Sequence, residues 1–191
     1  MIETLTQLDK SIFFLVNGEW TNSFLDWIMP LLRDKYFWTP VYIFLIVFFL
    51  SQYKWKGFAL IGFVLLAFGI ADFTSASIIK PLVERLRPCN DLDLAGQIRV
   101  LVDCGTGFSF VSSHASNHFA ISFLLISLYY KQWKWIFPLC FLWAFVVSYA
   151  QVYVGVHFPL DILGGAILGT AIGLLVGKLE KLIYPVVDGV R

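Results

Sequence analysis

GFALIGFVLLAFGIADFTSASII occupies residues 57–79, a run of 23 residues whose one charge is Asp72. A helix that crosses a bilayer needs roughly 20 mostly apolar residues, with about 17–25 the working range. A helix also satisfies every backbone polar group internally, which hydrocarbon demands. Working outward, the pattern repeats. Residues 36–53 precede this run without a charge, and 104–130, 135–160 and 162–177 follow it, again without Asp, Glu, Lys or Arg except at Asp161 between the last two. With polar ends trimmed, five spans are expected near 36–53, 57–79, 112–130, 134–153 and 159–178. The fold class is therefore all-α, a polytopic membrane helical bundle. The first 35 residues are mixed, with apolar runs at 12–16 and 24–32 interrupted by Asn17, Glu19 and Asp26. Two helices lying in the interface suit that pattern; a sixth span is the alternative.

Composition agrees. Hydrophobic residues make up 59% of the 191 and charged residues only 14%, with a mean hydropathy of +0.77, outside the soluble range. A net charge of +1 offers no electrostatic case for nucleic acid. The length suggests one domain over 1–191. The opening MIETLTQLDK has no basic run ahead of an apolar core, so a cleaved leader is not expected. In a five-span count, Lys54 with Lys56, Lys131 with Lys134, and Lys178 with Lys181 all fall on one side. Short loops rich in Lys and Arg stay cytoplasmic. The other side carries 88–110 and the residues leading into it, where Lys80, Arg85, Arg87 and Arg99 are mixed with Glu84, Asp91, Asp93 and Asp103.

Three polar clusters sit at the ends of apolar stretches on that outward side: Lys80-x6-Arg87-Pro88, Ser112-Ser113-His114, and Gln151-x5-His157-x3-Asp161. Ionisable groups are costly near a bilayer, so a functional site is their default reading. Lys80 and Arg87 share a face if the backbone between them stays helical, and two cations suit the oxygens of a phosphoryl group. Ser112 and Ser113 stand where a glycine-bearing loop enters an apolar helix, and a helix N-terminus is a ready anion site. Helix capping is the plainer reading of those hydroxyls. His114 beside them is placed to donate a proton. His157 and Asp161 form a hydrogen-bonded pair if a helix begins between them, as Pro159 suggests. A carboxylate on one ring nitrogen leaves the other a better nucleophile. His118, one turn after His114, lacks the Glu or Cys companions of a zinc site and is read as structural; no metal or other cofactor is expected. Glu84 and Arg85 read as surface groups paired with each other.

Gly165, Gly169, Gly173 and Gly177 continue at four-residue spacing from Asp161, a pattern that lets helices approach closely. Cys140 falls in apolar sequence and reads as a packed thiol. Cys89 and Cys104 bracket the outward segment, where an oxidising compartment permits a disulfide. Closing a loop of about 15 residues contributes on the order of 3 kcal/mol in the chain-entropy description. Two free thiols are the alternative.

Together the clusters resemble the type 2 phosphatidic acid phosphatase family, the lipid phosphate phosphatases related to vanadium-dependent haloperoxidases. That family's signature is K-x6-R-P, then P-S-G-H, then S-R-x5-H-x3-D. Here the first part is intact, the second reads Val111-Ser112-Ser113-His114, and the third Ala150-Gln151-x5-His157-x3-Asp161. The resemblance covers roughly residues 70–170, with 80–161 as the motif-bearing catalytic region. It implies hydrolysis of a phosphate monoester or diphosphate on a membrane lipid through a phosphohistidine, without metal. His157 is the implied nucleophile, Asp161 its orienting partner and His114 the acid and then the base. Lys80, Arg87, Ser112 and the Ser113 N–H hold the phosphoryl oxygens. The expected setting is a bacterial cytoplasmic (inner) membrane, multi-pass, with the site facing the periplasm or exterior. Expected substrates are polyprenyl diphosphate, phosphatidylglycerophosphate, phosphatidate or lipid A. Gln151 stands where the family has a third cation on the phosphate, and Arg85 or Arg99 is the expected replacement. A homologue that binds headgroup phosphates without turnover is the alternative function.

Overall fold

The computed structural model describes residues 2–186, all-helical with no strand among them. α1 (Ile2–Phe14) continues through a π-helical segment, Leu15–Glu19, to α2 (Ser23–Arg33). α3 (Thr39–Tyr53) and α4 (Trp55–Phe73) form a hairpin; a second π segment, Thr74–Ile79, then joins α4 to the short α5 (Lys80–Val83). A loop with two 3-10 turns, Pro88–Asn90 and Leu92–Leu94, leads to α6 (Ser113–Tyr129), α7 (Ile136–Tyr153) and α8 (Pro159–Ile183). Trp55–Val83, Ile136–Tyr153 and Pro159–Ile183 are long and apolar enough to cross a membrane, and Thr39–Tyr53 is apolar but shorter. The architecture is a membrane helical bundle, its helices matching the expected spans to within a few residues.

α6 is the central helix, packed against α4, α7 and α8 and buried along most of its length. This position explains why it tolerates several polar side chains: they face protein, not lipid. Ser122 Oγ donates to the Cys140 carbonyl at 2.9 Å. Asn117 Nδ2 donates to Asp72 Oδ1 at 2.9 Å, which accounts for the single acid within residues 57–79. Phe44, Leu65 and Leu142, on α3, α4 and α7, point outward instead, as lipid-facing residues do.

The tightest approach is between α6 and α8. A Cβ built on Gly169 would lie 2.2 Å from the Ser116 carbonyl oxygen, and one on Gly165 2.5 Å from that of Ser112. The neighbour in each case is rigid helix backbone, so no rotamer change relieves the clash. Gly169→Ala is expected to destabilise the bundle by about 2 kcal/mol or more through overpacking. Thermal unfolding in detergent measures this, and an unchanged melting temperature would contradict it.

The two N-terminal helices lie across the site end of the bundle. α1 is two-faced, with Leu5, Leu8 and Ile12 exposed while Asp9 and Phe13 are buried, as is Val16 in the π segment that follows. Buried Asn17 donates to the carbonyls of Arg99 and Tyr153 at 2.8 Å each, and accepts from the Arg99 N–H at 2.9 Å. These helices therefore dock on protein, α2 against α7 and α1 against α8. At the opposite end, Tyr53 packs on Tyr129 at 6.4 Å, and Lys181 donates to the Ser127 carbonyl. The lysine-bearing turns thus gather at one end, and the three polar clusters at the other.

Candidate active site

His157 leaves α7 through a turn that only glycine fits. Gly155 has φ +87°, and a Cβ there would lie 2.4 Å from the Arg99 carbonyl oxygen. The turn folds back so that the N–H groups of Val156 and His157 both donate to the Gln151 carbonyl, at 3.1 and 3.2 Å. Phe158 is extended, Pro159 occupies the first helical turn and Asp161 sits at the third position of α8. There the Asp161 carboxylate accepts the Phe158 N–H at 2.8 Å, satisfying an otherwise unpaired helix-terminal donor. The same capping geometry sets Asp161 Oδ2 3.4 Å from His157 Nδ1. Both residues are buried. With Nδ1 turned to the carboxylate, Nε2 is the ring nitrogen left for chemistry.

Ser112 N-caps α6, accepting from the Ala115 N–H at 3.4 Å. Its own N–H donates to the Asp161 carbonyl at 3.0 Å, so the starts of α6 and α8 are joined directly. Ser113 Oγ lies 2.9 Å from Ser75 Oγ in the π segment after α4. π segments of this kind are frequent at functional sites. Among the described residues the non-glycine positions with positive φ are Lys54 and Glu84, so Ser113, where the signature has glycine, carries no left-handed backbone strain. His118 makes its contacts within the bundle, with Nδ1 2.8 Å from the His114 carbonyl and its ring against Trp143 at 4.9 Å.

The helical path that would place Lys80 and Arg87 on one face is not what the chain adopts. α5 stops at Val83, Glu84 is left-handed at φ 51°, and Arg87 is extended. Arg87 still converges on the site, donating from Nε to the Gly107 carbonyl at 3.3 Å. Burial lowers its pKa and the nearby charge of Asp161 pulls it back. Lys80, Arg87 and Asp161 all act electrostatically on His157, and Arg33, Lys80 and His157 on His114. Burial pushes the His157 pKa down to about 4, Asp161 opposing the shift and the two cations adding to it.

Arg85 and Arg99 lie elsewhere than the sequence suggested. Arg85 is not a surface partner of Glu84. It bonds Asp161 at 2.7 Å, pairs with Asp9 of α1, and covers the Phe158 ring at 4.1 Å. Arg99 pairs with Asp26 at 2.5 Å, beside the Tyr153 hydroxyl that donates to the same carboxylate at 2.6 Å. Both guanidiniums are paired with carboxylates, Arg85 with Asp9 and Asp161 and Arg99 with Asp26. Sequence reasoning also passed over Ser109, which donates to Asp161 Oδ2, and Asp9, which accepts the Leu160 N–H at 2.8 Å. Arg33 was passed over too, because a basic residue closing the apolar run 24–32 reads as ordinary snorkelling. Its Nε donates to Gln151 Oε1 at 3.2 Å.

A groove of about 510 Å³ opens beside His114, Ser113, Asn117 and His118. It descends between α3 and α4 past Leu45, Phe49, Ile61 and Val64, a wall almost wholly apolar. From Asp72 to Ile61 this is about 16 Å along a helix axis.

The site end of the membrane bundle thus holds a buried His157–Asp161 pair on which Lys80 and Arg87 act electrostatically, and an apolar groove opens nearby, beside His114. The family model of the PAP2 superfamily matches residues 58–182, and the chain belongs to that superfamily. It is an integral membrane protein and an enzyme, a phosphoric ester hydrolase acting on membrane lipids. A lipid A 4'-phosphatase of Bacteroides thetaiotaomicron is 36% identical over 88% of this chain and 75% of its own length. A second, from Porphyromonas gingivalis, is 28% identical over 96% of this chain and 75% of its own. In fold, the chain superposes on the crystal structure of a PAP2-type phosphatidylglycerolphosphate phosphatase from Bacillus subtilis with a TM-score of 0.75. That match covers 94% of this chain and 88% of the other, at 24% identity.

Proposed function

We propose that this enzyme hydrolyses a phosphate monoester on a lipid headgroup in two in-line steps, with a lipid A 4'-phosphate as the first substrate to test. His157 Nε2 attacks phosphorus while His114 gives its proton to the departing lipid oxygen, leaving a phosphohistidine. His114, now a base, takes a proton from water as that water attacks the phosphohistidine, releasing inorganic phosphate and free His157. Asp161 holds the His157 tautomer throughout. Lys80, Arg87, Ser112, the Ser113 N–H and the Gln151 amide hold the phosphoryl oxygens. Phosphoryl transfer needs positioning and charge stabilisation more than new covalent chemistry, and these side chains offer both without a metal ion.

The observation that carries the reading is the buried pairing of His157 with Asp161, 3.4 Å apart, among Lys80 and Arg87. The groove beside His114 supports a lipid substrate, since its apolar wall suits an acyl chain and its polar end the headgroup. The curated relatives favour the lipid A 4'-phosphate over polyprenyl diphosphate as the first trial. The lysine-rich turns at the far end support a site facing the periplasm or exterior of a cytoplasmic membrane. So does the bond between Cys89 and Cys104 in the site-end loop, with Cα atoms 5.9 Å apart, since disulfides persist in oxidising compartments.

The test is phosphate release in detergent with chelator present, across lipid A, phosphatidylglycerophosphate, phosphatidate and polyprenyl diphosphate. Release from lipid A at least about tenfold above the others in kcat/KM is expected, as one well-fitted contact discriminates by that much. A strict requirement for a divalent cation would overturn the mechanism, and no release from any lipid would overturn catalysis in favour of headgroup binding alone.

A further inference from the structure

We propose that Arg33, at the end of α2, is the third phosphate-binding cation of this site, carried there from the N-terminal helices and oriented by Gln151. The inference rests on the phosphatase reading above and adds a residue that no motif contains.

Arg33 reaches the site across 118 residues of sequence, donating from Nε to Gln151 Oε1 at 3.2 Å. Residue 151 is where the signature quoted above carries its own arginine. One N–H of the guanidinium is thus used to fix its plane, and among the described residues neither Nη group makes a hydrogen bond or ion pair. The side chain is half-buried. It is close enough to Arg87 and His114 to act electrostatically on both.

Asp34 acts on Arg33 electrostatically but forms no ion pair with it among the described residues, and a half-buried cation beside a second cation favours an anion that joins them. Arg85 and Arg99 show the contrast, since each is paired with an aspartate. The planar fork left open at Arg33 suits two oxygens of one phosphoryl group.

Gln151 gives an independent sign. Its side chain is fully buried, yet its Nε2 has no hydrogen-bond partner among the described residues. A buried, unpaired amide is costly, and a phosphoryl oxygen held by Arg33 would accept from it. The base of Arg33 is fixed as well. Trp38 Nε1 donates to the Leu32 carbonyl at 2.7 Å, and the Trp38 ring packs on Trp143 of α7 at 5.9 Å. The cation is therefore held before substrate arrives, as electrostatic catalysis requires.

The experiment moves the charge between helices. Arg33→Ala is expected to lower kcat/KM for phosphate release by about 100-fold or more, with an unchanged melting temperature. Arg33→Ala combined with Gln151→Arg, which returns a guanidinium from α7, is expected to recover at least about tenfold of that loss. Arg33→Ala within about twofold of wild type, or a double variant no better than Arg33→Ala, would overturn the proposal. Should Arg33→Ala fail to purify as folded protein, Arg33→Gln, which keeps a donor for Gln151, is read in its place. If wild type releases phosphate from no lipid, the phosphatase reading falls and Arg33 is judged by calorimetry with inorganic phosphate. An affinity about tenfold weaker in Arg33→Ala then supports its role, and equal affinities overturn it.

Discussion

With His157 replaced by alanine, phosphate release is expected to fall by about 10⁴-fold or more, to what positioned cations alone sustain. The expectation follows from three facts about one side chain. His157 is buried, so water does not compete for its ring. Its Nδ1 is turned to Asp161 at 3.4 Å, which commits Nε2 to the substrate side. Its pKa is held at about 4, by burial first, so the ring is unprotonated at neutral pH and can attack. Rapid quenching of wild type with radiolabelled substrate should trap an acid-labile, alkali-stable phosphoenzyme, the mark of a phosphorus–nitrogen bond, absent from His157→Ala. Label retained by the variant would assign the nucleophile to another residue. The pH dependence follows. Loss of kcat/KM through protonation of His157 should centre near pH 4 rather than at the ordinary value near 6.5. Stability should move in the same sense. Between about 6.5 and 4 the unfolded chain binds a proton that the folded one refuses, so falling pH costs stability across that window.

Asp161→Asn is expected to damage both fold and catalysis. The carboxylate accepts from Arg85, Ser109 and the Phe158 N–H, and faces His157, while fully buried. Asparagine keeps the volume but removes the charge, leaving Arg85 with Asp9 alone on its other side. Breaking a buried ion pair from one side costs about 3–5 kcal/mol, and a lower melting temperature in detergent measures it. Catalysis should fall by about 100-fold or more in protein that remains folded, because His157 loses the group that sets its tautomer. Arg85→Ala separates the two effects. It removes the ion pair and leaves the Asp161–His157 contact, so it should reproduce most of the stability loss and less of the rate loss. Equal rate losses in the two variants would show that Asp161 acts only through the fold.

The spans were legible because a bilayer punishes charge, and the charge-free stretches map onto α3, α4, α6, α7 and α8. His157 and Asp161 were legible because four residues across a helix start is a local relation, and Pro159 marks that start. Arg85 was misread for the opposite reason. Its partners Asp9 and Asp161 lie 76 residues away on either side, and no local pattern distinguishes it from a surface cation. Ser109, 52 residues from the carboxylate it caps, gave no signal in an otherwise ordinary loop.

The amino-acid sequence alone determined which segments are helices in a bilayer and which residues face each other within one turn. Both are short-range consequences of hydrophobicity and helical spacing. The tertiary structure decided what the N-terminal helices are for. Docked by Asn17 and Asp9 rather than merely lying on lipid, they bring Arg33 to the side chain of Gln151, across a sequence separation that no periodicity can span. The charge that residue 151 lacks is recovered through packing, because electrostatics depends on where groups meet in space and not on the helix that carries them.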